Sequence, residues 1–332
     1  MGIDKTGLIE AALARLSPLE TECTLCPRVC RVDRTAGAAG ICRTGSSARV
    51  SHALLHFGEE PALSGHEDCA RTVTGDGRGA GGSGTVFFGG CNLKCLYCQN
   101  YQLSWLDQGA PVDDEALAAL MLDLQRRGAL NINFVSPTHV VLPILRALRI
   151  AWGRGGISIP LVYNSNGYDS PEVVSRLEGI VDIYLPDLKY ASSTLSLRYS
   201  GAADYFEKAS AAVREMSVQQ PVLELDAGGI ARKGLILRHL VLPGHADDSV
   251  EVLRWVRGNL SPHIGLSLMS QYRPCFKAPE ELQTPVSPEE YRRVADAALE
   301  LGFESLFLQP EPFAPGEHRV PDFDRKDPFD WR

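Results

Sequence analysis

Seven short apolar segments recur between residues 85 and 308, with helix-like segments between them, and this alternation constrains the fold more than any other feature. Short segments that are apolar throughout are typical of strands buried on both faces. They lie at residues 85–88, 130–135, 160–164, 181–185, 235–242, 264–269 and 303–308. Strands that alternate with helices predict a parallel sheet with right-handed crossovers. At this length the sheet forms either an open, partial barrel or a doubly wound α/β fold.

Helix signals support this alternation. Residues 114–127 carry apolar side chains on one face and end before Gly128, a favourable C-terminal cap. Ser-Pro-Glu-Glu at 287–290 predicts a capping box that opens a helix. The first 22 residues have apolar positions at helical spacing, which predicts an amphipathic helix packed on its own domain.

The composition changes along the chain and divides it into three zones. Residues 1–84 are rich in Cys, Gly and Arg, and we interpret them as a helix followed by a small metal-binding segment. Residues 85–308 hold the alternating strands and helices of the barrel. Residues 309–332 contain five prolines and several charges, and predict a C-terminal tail wrapped on the surface.

The net charge and the lack of long apolar runs narrow the class of protein. The 332 residues carry a formal net charge of −8, which argues against nucleic acid or an anionic membrane as the partner. No apolar run reaches the roughly 18 residues of a membrane span. The first 22 residues lack the apolar core of a signal peptide. We therefore expect a cytoplasmic protein with neither a membrane nor a nucleic-acid partner.

The nine cysteines are unevenly distributed. Seven fall in two groups, while Cys69 and Cys275 stand alone and are expected to be free structural thiols. Disulfides are rare in the reducing compartment expected for this chain, where clustered cysteines more often bind metal. The two groups are therefore candidate metal sites.

The first group, Cys91, Cys95 and Cys98, directly follows the first strand of the alternation. Three thiolates can hold three corners of a 4Fe-4S cubane, whose four irons are ordinarily all bound by cysteine. One iron is then left open, as in a catalytic rather than a structural metal site. The alternative is a zinc ion with a distant fourth ligand, but the spacing favours the cluster.

The C-x3-C-x2-C spacing after the first strand resembles the radical S-adenosylmethionine (SAM) superfamily. The resemblance implies a partial (β/α)6 barrel and a 4Fe-4S cluster on Cys91, Cys95 and Cys98. It also implies that SAM binds the open iron through its amino and carboxylate groups. Reductive cleavage of SAM would then give methionine and a 5′-deoxyadenosyl radical, which abstracts hydrogen from a substrate.

The resemblance can be narrowed to one branch of this superfamily. Residues 87–100 are similar to the pyruvate formate-lyase activating enzymes. Three further segments resemble an uncharacterised, PflX-type subgroup of their homologues: Cys-Pro-Arg-Val-Cys at 26–30, Asn-Phe-Val-Ser-Pro-Thr-His at 133–139 and Leu-Pro-Asp-Leu-Lys-Tyr at 185–190. This implies an oxidoreductase of anaerobic metabolism. Its candidate protein substrate is a glycyl radical enzyme, and its candidate electron donor is a flavodoxin or ferredoxin.

The resemblance also implies which residues hold SAM. Arg238 matches an arginine that pairs with the SAM carboxylate, Asp187 an aspartate that helps to bind a nearby cation, and Lys189 a lysine that faces the active site. The Gly-Gly-Glu segment that receives the SAM amino group is replaced here by Ser-Pro-Thr at 136–138. The predicted cofactor-binding residues are Tyr97, Asn100, Ser136, Thr138, Asn164, Ser165, Gly167, Asp187, Lys189, Arg238 and Gln271.

The second cysteine group supplies four thiolates within twenty residues: Cys23, Cys26, Cys30 and Cys42. A bound metal contributes folding energy directly, which a small loop-rich segment needs. Zinc with four thiolates is the commonest structural answer and the one we slightly favour. A second iron-sulfur cluster is the alternative.

Two rival functions remain open. Radical modification of a small molecule or a ribosomal peptide would use the same SAM site, so the resemblance does not separate it from activation of a protein. A non-catalytic zinc-binding scaffold would also satisfy the cysteine spacing. Residues 67–84, ahead of the first strand, are a candidate substrate-facing loop.

Overall fold

The computed structural model describes residues 5–65, 81–309 and 320–330. The α-helices are α1 (Thr6–Leu16), α2 (Pro61–Ser64), α3 (Tyr101–Ser104), α4 (Asp114–Arg126), α5 (Val141–Gly153), α6 (Pro171–Ser175), α7 (Ser193–Ser200), α8 (Tyr205–Gln219), α9 (Ala246–Asn259) and α10 (Pro288–Glu300). The strands are β1 (Ala48–His56), β2 (Ser83–Phe88), β3 (Ala110–Val112), β4 (Ile132–Val135), β5 (Leu161–Asn164), β6 (Ile183–Tyr184), β7 (Glu224–Leu225), β8 (Ala231–Leu240), β9 (Gly265–Met269) and β10 (Ser305–Leu308). Short 3-10 helices span Ser17–Glu20, Pro137–Val140 and Glu280–Leu282.

The strands form one open sheet in the order β10-β9-β8-β6-β5-β4-β2-β1-β3, with β7 beside β8. The run from β2 to β10 is parallel throughout and follows the order of the chain. A doubly wound sheet would reverse its strand order at a switch point. The sequential order therefore excludes the doubly wound alternative and confirms the predicted open, partial barrel.

The predicted strands all appear, and each coincides with a parallel strand of the barrel. The largest difference is at β6, where only two residues, Ile183 and Tyr184, keep ladder hydrogen bonds. Helices also follow their signals. Asp113 caps α4 by accepting a hydrogen bond from the backbone N–H of Ala116. The capping box of α10 forms between Ser287 and Glu290 as predicted.

Strand β1 is an addition that the sequence did not predict. It pairs antiparallel with β2 along most of its length, and β3 pairs antiparallel with its other side. The segment before residue 84 thus supplies an edge of the barrel sheet as well as the cysteine-rich loops. The division of the chain into zones at residue 84 stays a prediction.

Helix α1 packs on the barrel, in agreement with the prediction for the first residues. Its buried face consists of Ile9, Ala12, Leu13 and Leu16, which lies against α5. Lys5, just before the helix, donates to Asp182 from a buried position, with Nζ 2.6 Å from Oδ2. In the part of the chain that the structure describes, no helix has both the length and the apolar character needed to cross a membrane.

The inner side of the barrel is covered at two places. Near the amino ends of the strands, Leu63 of α2 is fully buried against inward side chains of the parallel strands, and its carbonyl accepts from Nδ2 of Asn131 at 2.8 Å. Towards the β1 edge, residues 320–330 of the tail place Phe323 on Phe87, with ring centroids 5.3 Å apart. This tail segment packs on the sheet, and the predicted extent of the tail, residues 309–332, stays a prediction.

Candidate functional site

The three cysteines of the C-x3-C-x2-C segment lie in the loop that follows β2, and their thiols influence one another. Burial raises the pKa of all three. It raises the pKa of Cys95 to about 11, with a further rise from Cys98 and an opposing effect from Lys189. The free thiols are therefore protonated at neutral pH. Binding of iron would displace these protons, as is general for thiolate metal sites.

Each of the three sulfurs receives a hydrogen bond from the surrounding fold. The donors are Nδ2 of Asn166 at 3.3 Å and the backbone N–H of Leu93 at 3.4 Å for Cys91, Oγ of Ser200 at 3.1 Å for Cys95, and Oγ of Ser104 at 3.2 Å for Cys98. Donors of this kind stabilise thiolate charge and tune the potential of an iron-sulfur cluster. The donor set therefore fits the cluster that the spacing predicts.

In neither cysteine group do the side chains converge as they would around a single metal ion. Within the described ranges, no three His, Cys, Asp or Glu side chains are arranged to hold one metal ion. A cubane separates its irons, so its cysteine ligands need not converge on one point. Assignment of the metal at Cys91, Cys95 and Cys98 stays a prediction from their spacing.

Lys189 and Asp187 form a half-buried ion pair beside the cysteines. Nζ of Lys189 lies 2.5 Å from Oδ2 of Asp187. Burial by itself would lower the pKa of Lys189, but Asp187 and the thiols of Cys95 and Cys98 raise it above its usual value. A lysine held positive at this point offsets negative charge on the cysteine group.

Two of the predicted SAM-binding positions have backbone conformations that few residues adopt. Ser136, at the end of β4, has a φ of 57°, an uncommon left-handed value for a residue other than glycine. Gly167 has a φ of 80°, and a Cβ there would lie 2.1 Å from the carbonyl oxygen of Asp187. Such positions concentrate at functional sites. Both belong to the turns that end neighbouring strands.

Asp169 holds two other predicted SAM contacts in place. Its carboxylate accepts hydrogen bonds from Thr138 at 2.6 Å, Tyr163 at 2.9 Å and Ser165 at 2.6 Å. Asp169 is 1% exposed. The hydroxyls of Thr138 and Ser165 are thus engaged within the protein, where they shape the turn.

Arg238 is paired differently from the prediction. Its guanidinium binds the carboxylate of Glu60 through two nitrogens, at 2.8 and 2.5 Å, and also binds Glu59. Its Nη1 lies 3.5 Å from Oδ1 of Asn164, another predicted SAM contact. The arginine expected to receive the SAM carboxylate therefore has carboxylate partners from its own chain, and its role toward SAM stays a prediction.

Tyr97, another of the predicted SAM contacts, is buried in a cluster of tyrosines. Its hydroxyl lies 2.5 Å from that of Tyr190, which in turn lies 2.7 Å from Oγ of Ser200. Its ring packs edge-on against Tyr199 and Tyr272. Through Tyr190, these contacts connect Tyr97 to Ser200, which donates a hydrogen bond to the sulfur of Cys95. The sequence did not indicate this connection.

The last two predicted contacts lie close to the same loop. Asn100 caps α3 and brings its backbone N–H toward the thiol of Cys98. Gln271 follows β9, and its carbonyl accepts from Nε2 of Gln99 at 3.2 Å. Both positions are therefore joined to the segment that carries the cysteines.

Cys275 lies near the first cysteine group, although no spacing relates them. Its thiol donates to the carbonyl of Tyr97 at 3.2 Å. Burial, followed by the charge of Cys98, raises its pKa to about 12. Cys69 lies outside the described residues, as do most of residues 67–84 of the predicted substrate-facing loop.

The four cysteines of the N-terminal group also lie close together. Burial first, and then the charges of Cys42, Cys23 and Cys30, raise the pKa of Cys26 to about 12. Neighbouring thiols, one buried and three half-buried, are the donor set that zinc or a second cluster requires. Which metal binds there stays a prediction.

The N-terminal group is joined directly to the first one. Arg28 donates to the carbonyls of Asn92 at 2.8 Å and Gly201 at 2.7 Å, so it reaches the backbone beside Cys91. At Gly90, an added Cβ would lie 2.5 Å from the carbonyl oxygen of Cys42. The two cysteine groups therefore share a packed boundary.

Sequence reasoning missed Asn166, Ser104 and Ser200 as donors to sulfur. Asn166 stands next to Gly167, so the predicted turn could have indicated Asn166 as a site residue. Ser200, at the end of α7, comes near Cys95 through the fold, and no local pattern marks it. Ser104 lies six residues after Cys98 in an ordinary helical turn.

Comparison with known proteins gives relatives along nearly the whole chain. The chain is 27% identical over 314 residues to the uncharacterized protein MJ0674 of Methanocaldococcus jannaschii, covering 91% of this chain and 82% of that protein. It is 25% identical over 252 residues to MJ0808 of the same organism, covering 70% and 65% respectively. The chain therefore spans slightly less than two thirds of MJ0808.

Solved structures give more distant likenesses. Streptococcus suis SuiB bound to S-adenosylmethionine matches 66% of this chain and 48% of its own, with 14% identity and a TM-score of 0.47. The FeFe-hydrogenase maturase HydG from Carboxydothermus hydrogenoformans matches 69% and 61%, with 11% identity and a TM-score of 0.43. The model of the radical SAM superfamily matches residues 85–256, just over half of the chain. This protein belongs to the radical SAM superfamily.

Proposed function

We propose that this member of the superfamily is a PflX-type enzyme, related to the pyruvate formate-lyase activating enzymes, that generates a 5′-deoxyadenosyl radical for hydrogen abstraction. The observation that carries the proposal is the set of three thiols, one buried and two half-buried, each with its own hydrogen-bond donor, in the C-x3-C-x2-C loop. When bound there, a reduced 4Fe-4S cluster would supply the electron that cleaves the sulfonium of SAM.

The chain's own residues then bind and orient SAM. Gly167 and the left-handed Ser136 lie in the turns that follow two neighbouring strands, and Asn166, next to Gly167, contacts the cysteine loop through Cys91. Thr138 and Ser165 hold these turns through Asp169. This support is consistent with hydroxyls and carbonyls taking over from the missing Gly-Gly-Glu segment.

Two substrates fit this proposal. A glycine of a glycyl radical enzyme is favoured by the motifs shared with the activating enzymes. A small molecule is favoured because the inner side of the barrel is covered. Helix α2 covers it near the amino ends of the strands, and Phe323 of the tail packs on Phe87 beside β1. A protein loop would have to displace this tail segment, which packs directly on Phe87.

The N-terminal cysteines would serve the same site. Through Arg28, a metal bound at this group would fix the backbone beside Cys91 and Ser200. Zinc would act structurally, while a second cluster would lie close enough to the first group to pass on electrons from a flavodoxin or ferredoxin.

The proposal is tested by anaerobic reconstitution of the full chain, with iron, sulfide and zinc quantified, followed by dithionite and SAM. We expect a parent protein with about four irons to form 5′-deoxyadenosine, and a variant with Cys91, Cys95 and Cys98 changed to Ala to form none. Zinc beside four irons assigns zinc to the N-terminal cysteines, and about eight irons assign a second cluster there. A folded parent that binds no iron and cleaves no SAM contradicts the proposal and leaves the zinc scaffold.

A further inference from the structure

A layer of polar side chains crosses the inside of the barrel, and it includes residues beyond the two predicted SAM contacts Asn164 and Arg238. Asn133, Asn164, Arg238 and Ser267 come from β4, β5, β8 and β9. Glu59 and Glu60, from the turn between β1 and α2, reach into this layer. Beneath it the inner side is apolar, with Leu63 packed among strand residues. A polar layer enclosed in this way needs an explanation, because buried polar groups are costly unless they are paired.

The layer carries more negative than positive charge. Glu60 is neutralised by the two-nitrogen contact with Arg238, whose hold lowers the pKa of that carboxyl despite its burial. Glu59 is a second carboxylate for the same guanidinium. The side chains of Glu59 and Glu60 are only 8% and 7% exposed. Nearby His56 does not supply a compensating positive charge, because burial lowers the pKa of its imidazole.

The layer also has an acceptor without a donor. Asn133 is fully buried, and its Nδ2 donates to Oε1 of Glu59 at 2.8 Å. That bond fixes the orientation of the amide, because only nitrogen can donate to the carboxylate. Oδ1 of Asn133 is left buried with no hydrogen-bond partner. A buried acceptor without a donor loses about 1–3 kcal/mol, which a ligand with N–H groups would restore.

The layer lies next to the cysteine site. Asp187 pairs with Arg238 through a parallel backbone bridge, and the side chain of Asp187 holds Lys189 beside Cys95. A molecule bound to Glu59 and Asn133 would therefore lie inside the barrel. Arg238 and Asp187 would connect it to Lys189, which lies beside Cys95.

We propose that this inner layer is the substrate pocket and that it binds a cationic group, an ammonium or a guanidinium, which donates to the carboxylate of Glu59 and to Oδ1 of Asn133. The inference rests on the proposed function, because it takes a radical enzyme to need a substrate beside SAM. A free amine and the Lys or Arg side chain of a peptide share this chemistry. A carboxylate on the substrate is disfavoured, since Glu59 and Glu60 would repel it and already occupy the guanidinium of Arg238.

The test uses the reconstituted full chain with SAM and measures binding of matched probes by calorimetry. The probes are n-butylamine and n-butylguanidine as cations, 1-butanol and butyrate as uncharged and anionic counterparts, and N-acetyl-glycyl-lysyl-glycinamide as the peptide. We expect a cation to bind at least about tenfold more tightly than 1-butanol, as a buried charge-assisted hydrogen bond predicts. Tighter binding of the peptide identifies a chain-borne group, and tighter binding of a butyl cation identifies a free amine or guanidine.

Two variants check the location. Glu59→Gln keeps the shape but removes the extra charge, and we expect it to lose the preference for cations. Glu251→Gln, an exposed carboxylate on α9, is the matched control and should retain that preference.

The parent protein alone can overturn the inference, so a variant that fails to fold does not matter. Equal binding of the butyl cations, the lysyl peptide and 1-butanol, in a protein that still forms 5′-deoxyadenosine, rejects the cationic pocket and leaves the proposed function intact. Tight cation binding in a protein that never cleaves SAM instead rejects the proposed function.

Discussion

The donors around the three sulfurs decide how this site behaves at the scale of single residues. Cysteine spacing is a local property, so the sequence identified Cys91, Cys95 and Cys98 without help from the fold. Ser104 and Ser200 could not be found in this way, because a serine becomes a sulfur donor only through packing. The partner of Arg238 was also missed, since Glu59 and Glu60 come from a segment 178 residues away.

Removal of the hydroxyl at Ser200 should change the potential of the cluster. We expect Ser200→Ala to make the potential more negative by roughly 40 mV, because a lost hydrogen bond of about 1 kcal/mol shifts a one-electron couple by that amount. An EPR-monitored redox titration measures this. Ser196→Ala is the control, since its hydroxyl bonds only within α7; equal potentials in parent and Ser200→Ala would contradict the assigned donor.

His139 should make the fold sensitive to acid. Burial lowers its pKa to about 4, while its Nε2 donates to the carbonyl of Gly89. The unfolded chain takes up this proton below its ordinary pKa of 6.5, so the free energy of unfolding falls as the pH drops from 6.5 toward 4. We expect about 2–3 kcal/mol more loss at pH 4.5 in the parent than in His139→Gln, measured by urea denaturation. Parallel pH profiles of the two proteins would contradict this.

At the scale of elements, the turns after the strands matter more than the strands themselves. Apolar runs predicted the parallel strands well, because most of them are buried on both faces; β10, at the edge of the sheet, is only half-buried. Strand β1 was missed since most of its residues are only half-buried and its antiparallel pairing with β2 has no apolar run to mark it. The strained turns at Ser136 and Gly167 follow from tertiary contacts, and only the glycine leaves a trace in the sequence.

Gly167 and Gly201 provide a matched pair for testing the turn. Both have positive φ, but a Cβ at Gly167 meets the carbonyl of Asp187 while one at Gly201 meets nothing within 4 Å. We expect Gly201→Ala to lose about 1–2 kcal/mol of stability through backbone strain alone and to bind SAM normally. Gly167→Ala should lose more stability and weaken SAM binding about tenfold or more. Equal SAM affinities in calorimetry would contradict a role for this turn.

Arg28 also connects separate segments of the fold. Its contacts with backbone carbonyls tie the cysteine-rich segment to the loop of Cys91. Arg28→Met should lower the free energy of unfolding by about 2–4 kcal/mol, since hydrogen bonds from a charged donor are lost, and should release iron to a chelator faster. The control is Arg31→Met, because Arg31 is exposed and pairs only with Glu22; equal release from both variants would show that Arg28 does not support the site.

At the scale of the whole molecule, the alternating pattern was sufficient to predict the open barrel. What it could not predict is how the flanking segments close it. Long-range contacts, such as that of Phe323 with Phe87, place helix α2, the tail segment 320–330 and the cysteine-rich loops. Glu59 and Glu60 of the inner polar layer directly precede α2. We therefore expect the flanking segments, where periodicity is weakest, to determine which substrate binds.

The central claim is that Cys91, Cys95 and Cys98 hold a cluster with one iron open to SAM, and that Cys275 is not a fourth ligand. EPR spectroscopy of the reduced protein, with and without SAM, tests it most directly. We predict that SAM changes the g values of the cluster in the parent and in Cys275→Ala alike, because the open iron is present in both. A spectrum that SAM does not change in the parent, with iron intact, would mean that all four irons already have protein ligands and would contradict the account.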